Sequence, residues 1–138
     1  MTYEEARDAL QAKMQEASQK TLQQLFDEMV GLGLRSQRND CTRCLVSDYL
    51  SLAVQPDFRV FVGTARARLV LPEDTHGNTL PGKEHFLMPR VLQLLITMFD
   101  FGNIPELDLN PSDNQSCELP FAARCLLVHC LRPDEVFA

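Results

Sequence analysis

No G-x-S-x-G elbow, glycine-rich phosphate loop, H-E-x-x-H pair or clustered carboxylate motif occurs in this sequence. Those are the short patterns that mark nucleophilic, phosphate-binding and zinc-hydrolytic sites, so an enzyme is the minority reading. An apolar run of membrane-spanning length is missing as well. The longest, residues 86 to 101, is interrupted by Arg90 and Gln93 and is shorter than the roughly 20 residues a bilayer helix needs. No membrane role is expected. The opening MTYEEARDALQAK carries charge from Glu4 onward and no apolar h-region, so no secretory signal is expected. Internal repeats and low-complexity tracts are also lacking.

What is present is an ordinary soluble composition. The 138 residues, 45% apolar and 23% charged, fit one domain that can close a core without disulfides or metal. Five cysteines without an export signal point to a reducing, cytoplasmic setting, and an odd count leaves at least one thiol unpaired in a monomer. The net charge of −6 is unevenly spread: −3 over residues 1–34, +3 over 35–68 and −6 over 69–138. Such a chain is repelled by phosphate backbones except where its middle third is presented as a patch. Nucleic acid is therefore a disfavoured partner.

Thr2 followed by Glu5 has the form of a capping box, and no Gly or Pro follows until Gly31. Tyr3, Ala6, Leu10, Met14, Ala17 and Thr21 begin an apolar stripe that drifts into Leu25, Phe26, Met29 and Val30. The pattern predicts one helix of about eight turns. Its thinly apolar first 20 residues either lie over the domain or extend from it as a surface or oligomerisation helix. No sustained a/d repeat is present, which favours the first.

A second helix is expected from a cap at Asn39 or Asp40, through Cys41, Cys44, Leu45, Tyr49 and Leu52, to Pro56. The period then changes. Phe58, Val60 and Val62, then Ala67, Leu69 and Leu71, alternate with Arg59, Phe61, Arg66, Arg68 and Val70 about a Gly-containing turn, which signals a β-hairpin. Residues 72 to 84, PEDTHGNTLPGKE, read as an exposed loop. Residues 89 to 101, PRVLQLLITMFDF, leave one narrow polar line, Arg90, Gln93, Thr97 and Asp100, and predict a central helix buried on most faces with Gly102 just past its end. Residues 104 to 115 read as a second loop. Residues 120 to 131, PFAARCLLVHCL, predict a last helix ended by Pro133, with a strand over 124–131 as the alternative. The sum is a mostly helical α+β domain with a small antiparallel sheet.

The Cys-containing helix ending in DYL, the hairpin and the apolar helix running into MFDFGNIPEL together resemble a pattern in short uncharacterised proteins of actinobacteria and their phages, over residues 39 to 109. That resemblance implies no activity and gives no residue a role.

Two sites come from the residues themselves. Cys41 and Cys44, in NDCTRC at an expected helix start near Arg43, have the setting that lowers a thiol pKa. That is a redox reading, or a zinc reading if Cys117, Cys125, His129 or Cys130 complete four ligands; Cys125 and His129 stand four apart on one helical face. Against it, Cys is among the residues most often buried, so both thiols read first as small packing residues on the second helix, no β-α-β pattern precedes them, and none of His76, His85 and His129 lies in a recognised Cys–His arrangement. No cofactor is expected in the preferred reading. The other site is the hairpin face with Arg59, Phe61, Arg66 and Arg68. Three guanidinium groups beside an aromatic suit a carboxylate, a phosphate or a stacked base, unless they form a solvated face of the common kind. The expected function is a non-enzymatic interaction protein that docks through this hairpin face and the polar half of the first helix onto an acidic protein or a second copy, in preference to nucleic acid.

Overall fold

The computed structural model describes residues 1–71, 80–111 and 119–137. It is α+β and mostly helical, as expected. The helices are α1 (Tyr3–Ser18), α2 (Leu22–Gly31), α3 (Leu45–Ser51), α4 (Arg90–Asp100), α5 (Phe121–Ala123) and α6 (Pro133–Val136). The strands are β1 (Arg59–Val62), β2 (Arg66–Leu71), β3 (Leu80–Pro81) and β4 (Phe86–Leu87).

The expected eight-turn helix is two helices. Thr21 takes an extended conformation, accepts from the Gln24 amide at 3.2 Å and donates its own amide to Gln24 Oε1 at 2.9 Å. This second capping box has the same design as the one Thr2 forms with Glu5 at the start of α1. A local cap therefore breaks the helix without Gly or Pro. Lys20 pins the elbow by pairing with both Glu16 and Glu28. α1 does not stand away from the domain: Ala6, Leu10, Met14 and Ala17 belong to the core, packed on α3 and α4.

The second helix also starts late. Asp40 Oδ1 accepts from the Thr42 and Arg43 amides, holding a turn that leaves Cys44 as the cap of α3. Asp40 thus caps the turn, and Asn39 lies in the left-handed region at φ 59°.

β1 and β2 form the expected antiparallel hairpin, in the register Arg59↔Val70, Val60↔Leu69, Phe61↔Arg68, Val62↔Ala67. Phe58, Val60, Val62, Ala67 and Leu69 are buried as alternation predicts. β3 and β4 both pair with the other edge of β2, as two pieces of one interrupted strand. The interruption begins at Gly82, whose amide donates to Leu69 O and where a Cβ would meet that oxygen at 2.8 Å. Part of the expected loop is therefore strand; residues 72–79, with His76, lie outside the described residues.

α4 crosses the core with Leu92, Leu95, Ile96, Met98 and Phe99 buried. Gly102, at φ 80°, ends it: its amide bonds to Phe99 O and the Asn103 amide to Met98 O. Phe101, placed by the pattern among the buried residues, is 73% exposed, because the chain leaves the helix there. The second loop contains a 3-10 turn, Pro105–Leu107, followed by a bridge between Ser36 and Asp108. In the last segment helix wins over strand: α5 widens into a π-helical turn, Arg124–Val128. The helix ends before Cys130, which has φ 52°, and Pro133 opens α6 where the pattern expected a stop.

Candidate interaction site on the hairpin

The inward set of the hairpin leaves the opposite set outside. Arg66 is exposed, and Phe61, Arg68 and Val70 are half-buried. The register sets Arg68 directly opposite Phe61, and its guanidinium carbon lies over the ring, 4.7 Å from the centroid. That is cation–π distance. Phe61, Thr64, Arg66 and Arg68 line an open hollow of about 300 Å³ with His85. Arg66 and Arg68 have no ion-pair partner among the described residues. The hollow offers two guanidinium groups, an imidazole and an aromatic ring, with no carboxylate among the described residues that line it. Its charge suits an anion.

Arg59 does not belong to it. Its Nε donates to Thr42 O at 3.1 Å and its Nη2 to Asp48 Oδ1 at 2.6 Å, so it ties β1 to α3 and the turn before it. Alternation placed Arg59 on the right face, but the helix packed over this end of the strand took its donors. His85 was missed because it directly follows the expected loop, outside every periodic segment. It reaches the hollow through the pairing of Arg66 with Leu87 and of Ala67 with Phe86, a non-local register with no signal in the residues around it.

Cys41 and Cys44 line one hollow but differ in exposure. Cys41 is exposed, whereas Cys44 is 4% exposed and its Sγ accepts from the Ser47 amide at 3.4 Å. Burial pushes the Cys44 thiol up to about 12, the reverse of activation. Cys125 is buried against Met98, Sγ to Sδ 3.9 Å, and burial raises its thiol to about 11. His129 turns elsewhere: its Nε2 lies 2.7 Å from Asn103 Nδ2, so the amide donates to a neutral ring, and burial lowers the imidazole pKa. Among the described residues no cysteine hydrogen-bonds a histidine, and no group of three His, Cys, Asp or Glu side chains is placed to hold a metal. Cys117 lies outside them.

One buried charge escaped sequence reasoning. Arg124, 4% exposed, donates to Asn103 O at 2.7 Å and Leu119 O at 3.0 Å, and grips Glu106 with both terminal nitrogens. It ties the π-helical turn to the 3-10 turn and is a structural clamp.

Comparison with known proteins supplies no analogue: no protein-family model, curated protein or solved structure matches the chain.

Proposed function

We propose that this protein is a non-enzymatic interaction module, acting in the cytoplasm, that docks the outer hairpin face onto an acidic protein surface. The observation that carries this reading is the stack of Arg68 on Phe61 beside Arg66, two cations without ion-pair partners among the described residues of a chain with net charge −6. A stacked guanidinium keeps its in-plane N–H donors available to a carboxylate, so the arrangement recognises acids by shape as well as charge. Among the described residues no helix is long and apolar enough to cross a membrane, in keeping with a partner met in water.

The test is fluorescence anisotropy with a labelled peptide of alternating Glu and Gly, beside a single-stranded oligonucleotide of equal charge, at about 20 mM salt where screening is weak. The peptide should bind, weaken as salt rises, and be lost in the Arg66→Ser, Arg68→Ser double variant with unchanged circular dichroism. Equal binding by that variant, or no binding at low salt, refutes the reading. Preference for the oligonucleotide makes the protein a nucleic-acid binder instead.

A further inference from the structure

The hairpin turn has a second hollow on its other side. Asp40, Cys41, Val62, Ile96 and Asp100 line about 240 Å³ there, and Gly63 and Thr64 form a wall common to both hollows. The two differ in sign. Asp100 Oδ1 accepts from the Asn39 amide at 3.0 Å, and Asp40 Oδ1 from the Thr42 and Arg43 amides. Each carboxylate keeps its second oxygen unengaged among the described residues, and neither forms a salt bridge with a described Lys or Arg. Backbone hydrogen bonds hold the Asp40 carboxyl below the usual range, with the Thr42 amide the leading cause, so the negative charge persists at mildly acidic pH.

Resting on the reading above, we infer that the acidic surface this protein docks is a second copy of itself, each copy setting its Arg66–Arg68 hollow against its partner's Asp40–Asp100 hollow across a two-fold axis at the Gly63–Thr64 turn. A two-fold interface must be self-complementary, so that a patch and its complement lie on either side of the axis. Two adjacent hollows of opposite sign, separated by one turn, meet that requirement, and the rotation repeats every contact. Phe61, half-buried beside the basic hollow, supplies apolar contact surface, while Val62 and Ile96 are buried and form only the floor of the acidic hollow. Because the hollows are small, the interface belongs to the weak end of specific contacts, and its charge makes it sensitive to salt.

Sedimentation velocity on the full chain, from roughly 10 to 500 µM at low and high salt, reads this directly. Expected is a dimer that grows with concentration and dissociates in high salt. R66E/R68E should be monomeric, and so should Asp100→Arg. An equimolar mixture of the two should recover a heterodimer, because the reversed hollow of one faces the reversed hollow of the other while the unaltered hollows still match. A wild-type monomer at every concentration in low salt overturns the inference, as does a dimer indifferent to R66E/R68E or a mixture that stays monomeric. The acidic peptide separates this from the proposed function. If the chain stays monomeric while the peptide binds through Arg66 and Arg68, self-docking fails and the docking reading stands. If the peptide also fails, both fall.

Discussion

The Val60 amide donates to the Ser51 hydroxyl at 3.0 Å, across what would otherwise be the open edge of the sheet. Ser47, one turn earlier on α3, donates its hydroxyl to Val60 O at 2.6 Å, and the Val62 amide reaches Cys41 O at 2.9 Å. The outer edge of β1 is thereby paired with a helix and the turn before it. An edge satisfied in this way is no template for another strand on the β1 side of the sheet.

Replacing Ser51 by Ala leaves the Val60 N–H buried and unpaired, since both serine side chains are fully buried. The expected loss is about 1–3 kcal/mol for each of Ser51→Ala and Ser47→Ala, read from urea unfolding. A loss below measurement error in both would show that water replaces the hydroxyls.

Arg59 and Arg66 should behave differently although both are hairpin arginines. Arg59→Ser removes the tie to Thr42 and Asp48 and should cost about 1 kcal/mol, discounted because the side chain is partly exposed. Arg66→Ser should stay within about 0.5 kcal/mol of wild type. Chemical denaturation of the pair decides it, and the reverse ranking would return Arg59 to the docking face.

At the elbow, Thr21→Ala removes the acceptor for the Gln24 amide and should destabilise by about 1 kcal/mol. Helix content by circular dichroism should barely change, because α1 and α2 keep their buried faces. A neutral substitution would mean that the Lys20–Glu28 pair, not the cap, sets the bend.

For Glu106, burial favours the protonated form, but the Arg124 hydrogen bonds outweigh it and hold the carboxyl below its ordinary value of 4.5. A depressed native pKa contributes stability above the unfolded value and loses it as pH falls through the native one. The melting temperature should therefore fall from roughly pH 5 downward, and less steeply in Glu106→Gln. At neutral pH that variant should lose about 3 kcal/mol, because the buried Arg124 loses its counter-charge and keeps only its bonds to Asn103 O and Leu119 O. Parallel slopes in the two proteins would remove Glu106 from the acid response.

Thiol labelling at about pH 8, mapped by peptide mass spectrometry, should modify Cys41 and Cys130 quickly and spare Cys44 and Cys125 until the protein unfolds, following their exposure. Cys44 labelled as fast as Cys41 would revive the redox reading of NDCTRC.

Local patterns decided what local physics can decide. The Thr2 cap, the buried face of α4 and its glycine stop follow from 3.6-residue periodicity and backbone sterics, and the inward set of the hairpin follows from two-residue alternation. The second capping box was written in the sequence too, as Thr21 and Gln24, but an unbroken apolar stripe on both sides masked it. Packing settled the rest. Whether Arg59 or Arg66 stays available depends on where α3 lands, whether Cys44 is reactive or buried depends on what covers it, and His85 joins Arg66 through a strand pairing some twenty residues distant along the chain. Periodicity assigns a residue to a face of its own element; only the neighbouring element determines whether that face meets water, a partner or another part of the same chain.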